Sequence, residues 1–173
     1  QQALPDINPL LALQEDTRFP LLATDQVHYV GQPVAVVVAR DRHTARHAAG
    51  LVQLDLHTCA PQNDFDAMAP IITHTHHQAG HIPNDNVLQV QTELHVPRVS
   101  AFAMEPRACT AQWHDTTQTL SVWMGTQTPT RAQHDVAKVL GVSPAQVHLR
   151  CPDVGGAFGA RASVSPEDLL VPL

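Results

Sequence analysis

The stretch Thr119-Leu120-Ser121-Val122-Trp123-Met124-Gly125-Thr126-Gln127-Thr128-Pro129 decides the fold. Its first six residues read as a strand. Upstream, Ala108 to Trp113 reads as a second strand, and Asp115-Thr116-Thr117-Gln118 lies between them, so the pair predicts a hairpin. Thr128-Pro129 then opens a helix. Proline suits the first helical position, where its missing N–H would be unpaired in any case. Ala132, Val136, Val139 and Leu140 give that helix an apolar face, and Gly141 ends it. A short strand, Val147 to Cys151, delivers the chain into Asp153-Val154-Gly155-Gly156-Ala157-Phe158-Gly159-Ala160-Arg161.

Outward toward the start, Val34 to Ala39 is the longest apolar run and predicts a buried strand, set off from Val27 by Gly31-Gln32-Pro33. Asp41 predicts a helix cap over Arg42 to Ala49, with Gly50 as the stop. Val52, Leu54 and Leu56 alternate with polar residues, as in a half-buried strand. Residues 1 to 26 read as loop. Residues 58 to 86, rich in Pro, His, Asn and Asp, read as a connection between two units. Leu88, Val90, Thr92, Leu94 and Val96 predict one face of a further strand. The expected architecture is α+β in two units, residues 1–82 and 83–173. Ser165-Pro166-Glu167-Asp168 has the chemistry of a helix start, close to Leu173. With Gln1 in place of an initiator Met, that pattern predicts a piece of a longer chain.

Composition narrows the function. Of 173 residues, 43% are hydrophobic and 15% charged, which excludes a disordered tail. Ten basic residues against sixteen acidic ones leave no basic stripe for nucleic acid. No run is long enough to cross a bilayer. Three separated cysteines make no disulfide framework, and they suit a reducing, cytoplasmic setting.

The glycine-rich segment 153–161 is the strongest local signal. Successive free N–H groups in such a turn can hold an anion, and a plain tight turn fits the pattern equally well. It is neither a P-loop nor a dinucleotide fingerprint. His74, His76, His77 and His81 could gather a metal, but no Cys or carboxylate sits at ligand spacing, and a solvated His-rich linker is the simpler reading. Glu105 is either a buried acid paired with Arg107 or one half of a surface ion pair of little energetic weight. Gln127 falls at the carboxyl edge of a strand, where ligand contacts are common, and Thr128 suits a cap. Cys59, Cys109 and Cys151 lie in no context that activates a nucleophile, and Cys109 and Cys151 read as buried inert thiols.

The ordered set of strings resembles the large subunits of the molybdenum hydroxylases, the family of xanthine dehydrogenase, aldehyde oxidase and aerobic carbon-monoxide dehydrogenase. Val30-Gly31-Gln32-Pro33-Val34-Ala35-Val36-Val37-Val38-Ala39 resembles part of their α/β hammerhead domain. Ala103-Met104-Glu105-Pro106-Arg107, Val122 to Pro129, Val139-Leu140-Gly141-Val142 and Asp153 to Gly159 resemble the start of their molybdopterin-binding domain, which carries a mixed sheet. The resemblance implies that Gln127 reaches the metal centre. It implies that Gly156, Ala157, Phe158 and Gly159, with Gly155 leading into them, pack against the centre and its pterin. It implies a molybdopterin cofactor with molybdenum, in the cytosine dinucleotide form. It also implies oxidative hydroxylation of an aldehyde or N-heterocycle with water as oxygen source.

The departures are specific. The family's catalytic glutamate lies in a Gly-x-Gly-Glu-type string that this sequence lacks, so no catalytic residue and no protein metal ligand is expected here. Ala157 replaces a usual glycine and Arg161 a usual lysine. Ala162 stands where some purine-oxidising members carry a substrate-binding glutamate. An Ala-rich helix usual between Val87 and Val96 is skipped. The cysteines lack the grouping that iron–sulfur clusters need, so electrons would leave through iron–sulfur or flavin subunits, or through the rest of the molybdenum chain. The alternative is a non-catalytic remnant or interaction module of the same fold that binds no cofactor.

Overall fold

The computed structural model describes residues 20–60, 75–81, 88, 90–97 and 99–173. The predicted hairpin forms from β1 (Cys109–His114) and β2 (Thr119–Met124), antiparallel, with Cys109 opposite Met124 and His114 opposite Thr119. The four-residue turn between them needs one left-handed residue, and Gln118 takes it at φ 53°. A glycine would adopt that conformation more readily. Gln118 is held there by its own carboxamide, which donates to the Asp115 carbonyl at 2.8 Å, and by the Gln146 carboxamide, which donates to the Gln118 carbonyl at 2.8 Å.

β2 is the centre of a three-stranded sheet, because β3 (Val147–Arg150) pairs with it in parallel on the other side. Parallel neighbours need a crossover. Helix α2 (Pro129–Leu140) and a short 3₁₀ turn, Pro144–Gln146, supply it. Pro129 starts the helix and Gly141 closes it at φ 70°, with the Val142 N–H on the Ala137 carbonyl at 3.0 Å. The Gln133 carboxamide donates to the carbonyls of Pro144 and Val147, at 3.0 and 2.7 Å, and so ties α2 to the entry of β3.

The core lies between this helix and the sheet. Leu120, Val122 and Met124 from β2 pack with Ala132, Val136 and Ala137 from α2, Val147 from β3 and Leu169 from α3 (Pro166–Leu170). Each large apolar side chain of this set contributes roughly 1.5–3 kcal/mol by burial, more than an exposed ion pair does. Helix α3 starts as expected: Asp168 accepts from the Ser165 N–H at 3.0 Å and from its hydroxyl at 2.9 Å.

The first half differs from expectation. Helix α1 (Arg42–Gly50) forms, capped by Asp41, which accepts from the Thr44 N–H at 2.8 Å. Gly50 is its last residue rather than a stop beyond it, and α1 buries no side chain. The strands expected at Val34 to Ala39, at Val52 to Leu56 and at Leu88 to Val96 are not strands. An apolar alternation marks a face, but a strand needs a neighbour to complete its ladder, and the described residues provide none there. Val38, Leu88, Val90, Leu94 and Val96 are consequently exposed. Among the described residues of this half, Leu21 alone is buried in the core cluster. The expected unit boundary at residue 82 and His74 fall outside the described residues. No described helix is long and apolar enough to cross a membrane.

Candidate functional site

Three segments meet beyond the carboxyl ends of the parallel strands β2 and β3: residues 103–107, the turn 125–128 and the glycine-rich loop 153–162. Glu105 and Arg161 join them. The Arg161 Nη1 donates to Glu105 Oε2 at 2.6 Å, and its Nη2 donates to the carbonyls of Glu105 and Pro106. The same carboxylate oxygen accepts the Gly155 N–H at 2.6 Å, while the Glu105 N–H donates to the Gly155 carbonyl at 3.0 Å. The Arg161 carbonyl accepts from the Gln127 N–H at 3.1 Å and from the Thr126 hydroxyl at 3.2 Å. One residue further, the Thr128 hydroxyl donates to the Ala162 carbonyl at 3.0 Å. Thr128 thus fastens two loops together instead of capping α2 with its side chain.

Two glycines make this closeness possible. A Cβ at Gly155 would lie 2.6 Å from Glu105 Cβ, and one at Gly125 would lie 2.5 Å from Arg161 Nη1. Arg161 is only 4% exposed. A guanidinium at that depth needs a partner charge and filled hydrogen bonds, and Glu105 with its neighbouring carbonyls provides both. The Gly155 N–H, and then Arg161, hold the Glu105 carboxyl below the usual carboxylate range. Its contribution to the folded state is therefore present above that range and lost as pH falls through the lowered value.

Of the two expectations for Glu105, the pairing with Arg107 is corrected by the structure, which pairs it with Arg161. Arg107 lies 3.6 Å from Asp168 and donates to the Ala160 carbonyl at 2.8 Å. Two separate ion pairs therefore stitch 105–107 to 160–168. The Glu105–Arg161 pairing leaves no local mark in the sequence, since Arg161 is 56 positions away.

The expected site residues lie on two segments, the Gln127 turn and the glycine-rich loop, that Arg161 and Glu105 link. The Gly155 N–H is already taken by Glu105, so Gly155 offers no free donor. The N–H groups of Gly156, Ala157, Phe158 and Gly159 make no hydrogen bond among the described residues. Gly156, Phe158 and Gly159 have φ of 101°, 50° and 85°. Phe158 is 76% exposed, and Gln127, whose N–H is held by the Arg161 carbonyl, is exposed as well. Unpaired backbone donors on one loop and an exposed, uncharged carboxamide on the turn linked to it fit an oxygen-rich cofactor, for which hydrogen bonds without added charge are the useful contacts.

Cysteine placement follows the same economy. Cys151 exchanges bonds with Thr126, its Sγ accepting the Thr126 N–H and its S–H donating to the Thr126 carbonyl, both at 3.4 Å. Burial, aided by the Asp168 charge, pushes the Cys109 thiol up to about 11. His76, His77 and His81 are exposed, and no group of three or more potential ligands is placed to hold a metal among the described residues.

Two family models match the chain. Residues 72–173 match the family model of the molybdopterin cofactor-binding domain. Residues 2–59 match that of the aldehyde oxidase and xanthine dehydrogenase a/b hammerhead domain. The second half is therefore a molybdopterin cofactor-binding domain. The chain belongs to the molybdenum hydroxylase large-subunit family. It is similar to the nicotine 6-hydroxylase large subunit of Paenarthrobacter nicotinovorans, 33% identical over 92% of this chain and 21% of that one. The 6-hydroxypseudooxynicotine dehydrogenase complex subunit gamma of the same organism is 28% identical over 90% and 21%. The carbon monoxide dehydrogenase large chain of Hydrogenophaga pseudoflava is 25% identical over 84% and 22%. The chain spans about a fifth of the length of these relatives.

Proposed function

We propose that this chain supplies part of the cofactor-facing surface in the large subunit of a molybdenum-dependent hydroxylase. The observation that carries the reading is the run of N–H groups from Gly156 to Gly159 that make no hydrogen bond among the described residues, on a loop that Glu105 and Arg161 link to the Gln127 turn. The cofactor, when bound, supplies the redox chemistry. Gln127 gives a hydrogen bond without a charge. Gly156, Ala157, Phe158 and Gly159 give backbone donors at close range, and Phe158 gives an apolar surface that excludes water. Glu105 neutralises Arg161, so the frame adds no net charge from that pair.

The reading extends to a molybdopterin in the cytosine dinucleotide form. It divides the chain into a hammerhead-like unit to residue 82 and the opening of the cofactor unit from residue 83. The reaction is oxidative hydroxylation of an aldehyde or an N-heterocycle by water. The relative at 33% identity is named for nicotine, which supports the N-heterocycle. No string here matches the family's glutamate base, so that group belongs to another part of the polypeptide or to a partner. Cys109 and Cys151 are engaged within the fold, and with Cys59 they supply no iron–sulfur ligand set, so electrons leave through iron–sulfur or flavin subunits in the cytoplasm.

Native mass spectrometry with metal analysis tests this on the protein purified from its source. Molybdenum and pterin are expected to arrive with further chain mass. A species of this fold purified without molybdenum would overturn the reading and favour a non-catalytic interaction module.

A further inference from the structure

We propose that Glu105 and Arg161 are the positioning pair of the cofactor contacts: together they set the spacing between Gln127 and the glycine loop, and Glu105 takes up the Gly155 N–H, the donor just before the run Gly156 to Gly159. The inference rests on the reading of Gln127 and the loop as cofactor contacts. Neither residue of the pair is itself offered as a contact.

Three observations carry it. Arg161 acts in two directions at once. Its guanidinium grips the Glu105 carboxylate and the Glu105 and Pro106 carbonyls, while its carbonyl holds the Gln127 N–H and the Thr126 hydroxyl. A shift of Arg161 therefore moves the Gln127 turn and the loop together. Second, Glu105 and Gly155 exchange a reciprocal pair of bonds, carboxylate to N–H at 2.6 Å and N–H to carbonyl at 3.0 Å. That exchange fixes where the loop leaves the frame. Third, the space is shaped for these two side chains and for nothing larger, since a Cβ at Gly125 or Gly155 would collide with one or the other. An ion pair serving stability alone would not need glycines on two different loops.

The pair also separates Gly155 from the residues that follow it. Four free N–H groups in sequence remain, at Gly156, Ala157, Phe158 and Gly159. The Gly155 N–H is closed to any incoming anion, because a carboxylate of the chain itself already occupies it.

The test uses the full holoprotein with its partner chains and the variants Glu105→Gln and Arg161→Lys, with Arg40→Gln as control on an exposed pair. Arg161→Lys keeps the charge on Glu105 but lacks the second nitrogen that reaches the two carbonyls. It therefore tests position apart from charge, and it stands if Glu105→Gln does not fold. The readouts are molybdenum per chain and the electron paramagnetic resonance line shape of the partly reduced metal. Glu105→Gln is expected to lower molybdenum retention by about 10-fold or more, as loss of a supporting contact behind a cofactor ligand does. Arg161→Lys is expected to retain more metal than Glu105→Gln, with an altered line shape in the loaded fraction. Variants that load and resonate like wild type would overturn the pair alone. So would variants whose metal content falls only with the amount of folded protein while the line shape stays unchanged. Wild-type protein without molybdenum would overturn the underlying reading, and this inference with it.

Discussion

The two halves of the molecule carry similar apolar patterns and use them in opposite ways. Val34 to Ala39 is as apolar as Leu120 to Met124. Yet Val122 is fully buried, whereas Val38 is 90% exposed. The difference lies in neighbours. β2 has a strand on each side and α2 across one face, so its side chains meet others. The run at Val34 has no ladder partner among the described residues. Alternation therefore encodes a surface fit for burial, and the architecture decides whether anything covers it.

Replacing one side chain in each half breaks or sharpens this contrast most strongly. Leu120→Ala is expected to cost about 2–5 kcal/mol, since it opens a cavity in a core that cannot fully collapse. Val38→Ala is expected to stay within about 0.5 kcal/mol, as exposed substitutions do. Chemical denaturation of the two variants measures both, and equal losses would erase the distinction. Gly155→Ala comes next. Its methyl would press on Glu105, and overpacking of that kind costs about 1–3 kcal/mol. The variant is expected to raise hydrogen exchange at Gln127 while leaving the β1–β2 ladder protected. The smallest effect is on thiol reactivity. At pH 8 about one part in a thousand of Cys109 is thiolate, given a value near 11. Exposed Cys59, in the first half, is expected to alkylate first. Equal labelling rates would mean that the second half opens as readily as the first.

Much of the second half was legible in the sequence because its signals are local. The turn Asp115 to Gln118, Pro129 at the start of α2, Gly141 at its end and Ser165 before α3 each act within a few residues. The site was legible only in part. Gln127 and the loop came from an ordered set of strings. The frame behind them did not, because its bonds cross many residues. Arg107, nearest to Glu105 in sequence, turns to Asp168, while the true partner is a residue noticed only as a substitute for lysine. Gly155 carried the mark of an anion-binding turn, and the anion it meets is the chain's own carboxylate.

The distance along the chain between Glu105 and Arg161 bears on the order in which the molecule assembles. Closing a loop costs entropy that rises with the logarithm of its length. The hairpin and the β2–α2–β3 crossover lie wholly between those two residues. Once they have condensed, the effective gap is short and the last closure is cheap in entropy. The Glu105–Arg161 frame thus closes after the sheet and opens before it. A partly unfolded molecule can keep all its secondary structure and have no site.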